Sequence, residues 1–470
     1  MNNRYATFWI WLALCPLAVD FKSVDKNGSG IMQILLTVPA LGAAIVLALI
    51  GPRFGVGNRF SALVMAALLL TVPGSVVPHV LQGNDMGNYL RVLLPFMLLM
   101  VGYLAACRPW HVRRIEQIEL AMFGGMVVSL LFAFGYGMAV GGGLETVRFR
   151  IVSVVFLALQ GLLLHEIVVA RRVTRFKLAL FLISLAIELL SVTRSLLVGT
   201  ALLFCLATWL AAPSLQQLLR SLARTAVIAV ALVGGTVVIG SAAFPSVAAH
   251  WTQRMQAAKA TASGIDPTTA TRLAEIKDQL DQVRSGSASL LLGKGYGHNY
   301  RYSPEYLPAL ADQMTQEEFY AINEWSAGHN FWVYQLFAGG IVFGLALPLI
   351  VLYALARGSL FYRRWRRAAP DAPYLAVLGR ALLVLAALPA TSIGGNPLGP
   401  RFSGLVYGVA LGLLVATQVR LERMSLRRAV PASAPPAVAL RVVPAVPLLA
   451  APAISSLSSL SSHSQPGQRP

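Results

Sequence analysis

The chain has 470 residues, of which 56% are hydrophobic and 12% charged, and its mean hydropathy is +0.66. This composition excludes an ordinary soluble domain and indicates an integral membrane protein. The formal net charge of +19 would suggest a nucleic-acid partner for a soluble protein, but here the position of the basic residues between apolar segments explains it, so no nucleic acid is expected.

About a dozen apolar segments follow one another and predict an all-α polytopic membrane protein, since a spanning helix needs about 20 mostly apolar residues. The predicted spans lie near 6–20, 31–51, 60–81, 90–107, 118–142, 151–170, 178–195, 196–212, 226–244, 330–356, 374–393 and 402–419. Only the "TRS" at 193–195 divides the stretch 178–212, which we interpret as two spans. The first segment is interpreted as an uncleaved span, because the residue before Cys15 is a leucine rather than a small residue.

Basic residues cluster in alternate loops, and this predicts the orientation of the chain. The clusters lie at 108–114, 171–177, 357–367 and 420–428, all on one side if there are a dozen spans. The positive-inside rule then places both termini in the cytoplasm and the long segment 245–328 outside. The three cysteines lie in or beside apolar spans and predict no disulfide framework.

The order of these segments predicts four parts. They are a transmembrane bundle of about nine spans at 1–244, a large outward loop at 245–328, about three further spans at 329–419 and a cytoplasmic tail at 420–470. From about residue 429 the tail is rich in Pro, Ala and Ser without helical period, which predicts disorder.

The outward loop carries signals of folded structure, although most connections have only about 4–6 residues. Asp266 followed by Pro267 predicts the start of a helix, with a side-chain acceptor at the N-cap. Apolar residues at helical spacing predict that this helix is amphipathic: Leu273, Ile276, Leu280 and Val283. Gly286 is expected to end it in the left-handed conformation.

Polar residues in or beside apolar segments are candidates for function. His329 begins the apolar run 330–356, where an imidazole suits a general base, although a hydrogen-bonded helix cap is the usual role of an isolated histidine. Arg194 is either an interfacial anchor or an anion-binding group. Glu188 is a candidate support for Arg194, and Glu166 is expected to pair with the adjacent basic loop.

Further cations lie in the predicted outward segments. Arg272 is on the loop helix, with Arg254 and Arg284 as competitors for the same role. Lys294, within "LLGKGYG", is a candidate phosphate contact through its ammonium and neighbouring N–H groups, but the segment lacks a P-loop pattern, so ATP is not expected. Arg401 is a candidate phosphate or sugar contact, or an interfacial anchor. Neither metal-ligand spacing nor a serine-hydrolase signature is found, so no metal or cofactor is expected.

Four motifs occur in an order that resembles the bacterial O-antigen ligase and polymerase superfamily, whose members are polytopic glycosyltransferases with one large periplasmic loop. They are "TRS" at 193–195, "TRLAEIKDQL" at 271–280, "LLGKGYG" at 291–297 and "GHNFWVYQLFAGGIVFG" at 328–344. The resemblance covers roughly 150–420, and the last motif is the most specific.

This resemblance implies roles for three residues. Arg194 and Arg272 would bind the pyrophosphate of an undecaprenyl-pyrophosphate-linked glycan, and His329 would activate the hydroxyl of the acceptor. The chain departs from the family pattern at Thr193, where a serine is common, and at Ile276, where a tryptophan is common. Neither departure removes a proposed catalytic group.

The predicted function is glycan transfer at the periplasmic face of a bacterial inner membrane. Ligation of O-antigen to lipid A core is preferred, with polymerisation of repeat units and protein O-glycosylation as alternatives that share the donor. The expected partners are the lipid-linked donor, the lipid A core or a growing glycan, and membrane lipids. A lipid-glycan flippase is the alternative of a different class, although the chain shows no internal repeat of the kind many transporters carry.

Overall fold

Helices make up the regular structure of this computed structural model. The structure describes residues 3–19, 28–55, 57–142, 147, 148, 150–224, 227, 245–256 and 264–429. Within these residues it has no strand, and an isolated antiparallel bridge joins Tyr300 to Glu324. The predicted all-α class is therefore confirmed for this part of the chain.

The helices follow the apolar segments in chain order. Before the long loop they are Asn3–Leu14, Gly28–Ile50, Arg59–Thr71, Val76–Gln82, Met86–Ala106, Val112–Val140, Phe156–Leu164, Arg175–Leu190 and Arg194–Ala211, with a short π-helix at His165–Val169. In the loop they are Pro245–Gln256, Pro267–Arg284, Ser287–Leu292, Leu307–Leu310 and Gln316–Ala321. After it come Phe331–Gly339, a π-helix at Gly340–Gly344, then Ala346–Ala368, Leu375–Thr391 and Ser403–Ala429.

Membrane character is evident in the length and composition of these helices. Five of the described helical segments are long and apolar enough to cross a bilayer: Arg59–Gln82, Met86–Ala106, Val112–Val140, Arg194–Ala211 and Ser403–Met424. A bent pair after the loop makes a sixth if it counts as one span. Four shorter apolar helices match further predicted spans: Tyr5–Ala18, Leu35–Ile50, Phe156–Val169 and Leu375–Thr391. Most of the predicted span 226–244 and the tail from 430 lie outside the described residues.

The stretch 178–212 is divided into two helices, as predicted. Arg175–Leu190 ends before Val192, whose φ of 49° is left-handed and cannot continue a right-handed helix. The Ser191 hydroxyl donates to the Glu188 carbonyl at 2.7 Å, and the Thr193 hydroxyl donates to the Ser191 carbonyl at 3.1 Å. These bonds satisfy carbonyls that the break leaves without helical partners, and the next helix begins at Arg194.

Glycines bring two long helices into close contact at the centre of the bundle. Ser403–Ala429 packs against Met86–Ala106, and Gly404, Gly408 and Gly412 recur every fourth residue on the contact face. A Cβ added at any of the three would lie under 3.0 Å from a backbone carbonyl oxygen of the neighbouring helix. Small residues at this spacing are typical of helix pairs in membranes, where close backbone approach supplies the packing energy.

The predicted span 330–356 is not one straight helix, which corrects the sequence interpretation. Its two halves, up to Gly344 and from Ala346, meet at an angle of 82°. Gly340, where the helix Phe331–Gly339 changes to the π-helix that precedes the bend, has φ 61° and ψ −162°, a conformation that is essentially restricted to glycine. The "LLGKGYG" segment packs at this position, with Gly293 against the backbone of Gly340.

The helix Pro267–Arg284, called the loop helix below, begins where the sequence predicts. Its buried face differs from the predicted apolar face, because Leu273, Ile276 and Leu280 are only partly buried. The buried residues are Ala270, Ala274, Glu275, Gln279 and Val283. The predicted left-handed Gly286 is wrong, since its φ of −173° is extended.

The chain divides into one compact unit up to Met424 and a second unit from Ser425 to Pro470. The first unit holds the candidate site and the apolar core around Leu375–Thr391, a helix in which almost every side chain is buried. An all-round apolar helix of this kind belongs in the interior of a bundle. The predicted four-part division remains a prediction.

Replacing Gly340 with alanine should destabilise the protein. The positive φ is strained for alanine by about 1–3 kcal/mol, and the new Cβ would overlap the Leu291 carbonyl. We expect a lower melting temperature for purified Gly340→Ala in detergent micelles. Gly286→Ala is the matched control, because no atom lies within 4 Å of a Cβ there and its backbone is extended. Equal melting temperatures for the two variants would contradict the positive φ and the close packing described for Gly340.

Candidate functional site

His329 is held by a carboxylate from the loop helix. Its Nδ1 lies 2.7 Å from Oε2 of Glu275, and its backbone N–H donates to Oε1 of the same residue at 2.7 Å. Because one carboxylate binds both the ring and the backbone, the position and rotation of the imidazole are fixed together. The pairing joins residues 54 positions apart in the chain.

The Glu275 carboxylate is almost fully enclosed. Its side chain is 1% exposed, and Gln279, one turn further along the loop helix, donates to Oε1 at 3.1 Å. Gly328 lies against the same two side chains, and a Cβ at that position would overlap Oε1 of Glu275. Burying a carboxylate is costly unless hydrogen bonds compensate, and three donors do so here.

This geometry selects the tautomer of His329. An ionised carboxylate only accepts hydrogen bonds, so Nδ1 must carry the proton it donates to Glu275. In the neutral ring Nε2 then has the free lone pair, and the described residues place no hydrogen-bond partner on it. With 57% of the side chain exposed, Nε2 is suited to accept a proton from a bound molecule.

Arg194 pairs with the residue that begins the loop helix. Its Nη2 donates to Oδ2 of Asp266 at 3.0 Å, and the same oxygen accepts the Thr269 hydroxyl at 3.1 Å. Asp266 stands at the predicted N-cap, but its side chain caps no backbone N–H and instead binds the arginine. The pair links the end of a predicted span to the long loop.

Arg272 lies on the loop helix between the two ion pairs. Burial lowers the pKa of its guanidinium, and so does Arg194, while Glu275 and Asp266 raise it. An arginine stays protonated under such shifts. Because Asp266 binds Arg194 and Glu275 binds His329, the loop helix connects the three residues predicted for the site, Arg194, Arg272 and His329.

The charged side chains of this site differ in how far they are buried. The two carboxylates are buried, since the Asp266 side chain is 10% exposed and that of Glu275 is 1% exposed. The Arg194 side chain is 43% exposed. A guanidinium presents five donors in a planar fork, and one atom of Arg194 is used on Asp266. In both ion pairs the accessible partner is therefore the basic residue, Arg194 or His329.

The turn after Leu375–Thr391 closes the site from another side. Asn396 donates to the Gly328 carbonyl at 3.1 Å, next to His329. Gly394 lies against the Ser195 side chain, next to Arg194. Arg401 follows in the same connection and is partly buried. The turn therefore contacts both the segment that carries His329 and the segment that carries Arg194.

The backbone around Lys294 is already engaged. Its N–H donates to the Phe337 carbonyl at 2.7 Å, and the Gly295 N–H donates to that of Ala338 at 2.8 Å. Both N–H groups proposed for phosphate are thus used in packing the segment on the helix Phe331–Gly339. Nζ of Lys294 lies 3.4 Å from the Ser285 hydroxyl, which leaves the ammonium as the group for an anion.

The two glutamates of the apolar segments, Glu188 and Glu166, have separate partners. Glu188 is fully buried and accepts from Gln160 at 2.9 Å and from Thr200 at 2.9 Å, while the carboxylate on Arg194 is that of Asp266. Glu166 pairs with Lys177 of the adjacent basic loop at 2.6 Å, as predicted. A role for Glu188 in support of Arg194 stays a prediction.

Glu275 is the main residue that the sequence interpretation missed. It lies three positions after Arg272, so the helical repeat places the two side chains next to each other. The small residues Ala270 and Ala274 are buried on the same side of the helix and were the available signal for it. Of the competing arginines, Arg284 is about 18 Å from Arg272 along the helix axis. The side chain of Arg254 lies outside the described part of the chain.

Comparisons with known proteins add no family. No protein-family model matches the chain, and no curated protein matches it. The resemblance to glycosyltransferases therefore rests on the four sequence motifs.

Replacing Gly328 with alanine should disrupt the site locally. The new Cβ would meet the Glu275 carboxylate, Gln279 and the Tyr334 ring, so the segment that carries His329 must shift. Overpacking of this kind costs about 1–3 kcal/mol, and we expect a lower melting temperature together with loss of function. Gly395→Ala in the nearby turn is the control, because a Cβ there meets nothing within 4 Å. A Gly328→Ala variant as stable and active as that control would refute this packing.

Proposed function

We propose that this protein is a membrane glycosyltransferase that moves a glycan from undecaprenyl pyrophosphate to an acceptor hydroxyl at the periplasmic side of a bacterial inner membrane. The observation that carries the proposal is the imidazole of His329, fixed by Glu275 of the loop helix, which also carries Arg272 and binds Arg194 through Asp266 at its start. The proposal includes a bundle of about a dozen spans with both termini in the cytoplasm. It places the loop 245–328 and the site in the periplasm.

The reaction follows from the proton state of His329. Nε2 accepts the proton of the acceptor hydroxyl as its oxygen attacks the anomeric carbon of the lipid-linked glycan. The bond between that carbon and the pyrophosphate oxygen breaks, and its electron pair leaves with undecaprenyl pyrophosphate. Attack from the face opposite the leaving group inverts the anomeric centre. Glu275 stabilises the imidazolium that forms, since Nδ1–H already donates to it.

The arginines fit the leaving group. Arg194 and Arg272 would bind the pyrophosphate oxygens through charge-assisted hydrogen bonds and stabilise the negative charge that grows as the bond breaks. Asp266 holds Arg194 from its buried side, so the guanidinium is oriented before the donor arrives. Lys294, Arg401 and Glu188 remain candidate contacts or supports for the substrates.

Within this proposal, ligation of O-antigen to lipid A core is preferred, and repeat-unit polymerisation and protein O-glycosylation are the alternatives. All three use the same donor and base, so the acceptor distinguishes them. A lipid-glycan flippase is the alternative of a different class. A flippase has no need of a general base. The Glu275–His329 pair has the arrangement that a general base requires.

The direct test is glycan transfer by the purified protein in detergent micelles, with undecaprenyl-pyrophosphate-linked glycan and, separately, lipid A core, a second donor or a peptide as acceptor. We expect product only with the correct acceptor and none from His329→Ala, because no other described group holds the proton-accepting position. Micelles have no two sides, so a flippase forms no product in this assay.

The matched control is His111→Ala, which removes an exposed histidine at the start of another helix. In cells lacking the gene, complementation by each variant at equal membrane expression should give the same ranking, scored as lipopolysaccharide ladders. Accumulated long lipid-linked polymer would support ligation, and core capped with a lone repeat unit would support polymerisation. Full activity of His329→Ala would refute the proposed base.

Replacing Glu275 with glutamine should reduce turnover while leaving the donor site in place. The single oxygen of a glutamine can accept a hydrogen bond from the ring or from the backbone N–H of His329. Its NH₂ group then faces the other N–H, and two donors cannot form a hydrogen bond. We expect kcat to fall by about 10²–10⁴-fold, the range of general-base contributions, with little change in KM for the donor. Steady-state kinetics of the purified variant measure both.

Glu305→Gln is the control for this variant, because Glu305 is an exposed glutamate of the same loop. A purely structural role for Glu275 predicts a different pattern: less folded protein, with normal kcat per folded molecule. Active-site titration with the lipid-linked donor therefore separates the two explanations.

A further inference from the structure

A second cationic cavity lies at the other end of the helix that begins with Arg194. Its volume is about 440 Å³, and the wall includes residues from Leu210 to Pro213, where that helix ends. At 1.5 Å per residue this end is about 26 Å from Arg194 along the axis. The cavity is thus separate from the site of His329.

The wall of this cavity carries four arginines, which are Arg171, Arg363, Arg366 and Arg367. Among the described residues that line it there is no Asp or Glu. The arginines therefore create a local positive potential that the wall itself does not neutralise.

Backbone carbonyls at the end of the helix hold three of these arginines in place. Arg363 donates to the Ala212 carbonyl at 3.3 Å, Arg366 to that of Leu210 at 2.8 Å, and Arg367 to that of Pro213 at 2.9 Å. These bonds engage carbonyls at the C-terminal end of a helix, where cations are favoured. Each guanidinium has five N–H donors, so most of them remain for an anion, and their direction is already set.

Apart from Gln217, the other side chains of the wall are apolar or small. Val169, Leu210 and three alanines complete much of the lining. The cavity lies where Arg194–Ala211 ends, and this helix is long and apolar enough to cross a membrane. Phospholipid headgroups lie level with the ends of spanning helices, where basic residues attract anionic lipids.

We propose that this cavity binds the phosphate of an anionic phospholipid, with the headgroup on Arg171 and Arg367. Four arginines without a carboxylate recognise the phosphate, and the position of the cavity at the end of an apolar helix of spanning length favours a lipid over free phosphate. This lipid site does not depend on glycan transfer, so its test is independent of the proposed function.

The test uses the full-length protein, purified in a neutral detergent and stripped of lipid. Thermal unfolding is followed while phosphatidylglycerol, phosphatidylcholine with the same acyl chains, or inorganic phosphate is added. We expect phosphatidylglycerol to raise the melting temperature at far lower concentration than the other two. In R171Q/R367Q its apparent affinity should fall about 25-fold, since each basic group near an anionic lipid is worth roughly fivefold.

R172Q/R364Q is the matched control, because it removes the same charge from exposed neighbours that do not line the cavity. R171Q alone, which alters only an exposed side chain, should show about a fivefold loss even if the double variant folds poorly. Equal stabilisation by inorganic phosphate would overturn the assignment to a lipid. An equal loss in R172Q/R364Q would overturn the assignment to this cavity.

Discussion

The pairing of Glu275 with His329 is the interaction on which the rest of the site depends. A carboxylate buried to 1% exposure must be compensated, and its partners are the backbone N–H of His329, the ring of the same residue and Gln279. This requirement brings the loop helix onto the start of the helix Phe331–Gly339. Once it lies there, Asp266 meets Arg194, and Arg272 stands between the two pairs. One buried charge thus organises two ion pairs and the open face of the imidazole.

The positions of the glycines explain how helices and loop approach so closely. Gly328 leaves room for the Glu275 carboxylate, and Gly340 turns the chain where the "LLGKGYG" segment packs. Gly293 meets Gly340 backbone to backbone there. This close approach accompanies the hydrogen bonds that the loop segment donates to the Phe337 and Ala338 carbonyls.

Helical periodicity predicted the helices well but not their faces. The start of the loop helix at Pro267 and the break before Arg194 follow from local chemistry, an N-cap signal and a polar interruption, and both are observed. The buried face of the loop helix is not local. Leu273 and Ile276 remain partly exposed while Glu275 is buried, because its carboxylate binds the ring and the backbone of His329. A pattern of apolar residues does not record such a partner and selects the wrong side.

The sequence by itself determined the membrane character, the all-helical class and the candidates Arg194, Arg272 and His329, since composition, apolar length and local motifs require no knowledge of distant contacts. Only the tertiary structure decided which carboxylate meets which cation. The two deciding pairs join residues 54 and 72 positions apart, and no local propensity acts over such separations. The same holds for the contact at Gly340, where a segment from an earlier part of the chain packs backbone against backbone. Packing of buried charge and of backbone against backbone is a property of the assembled fold.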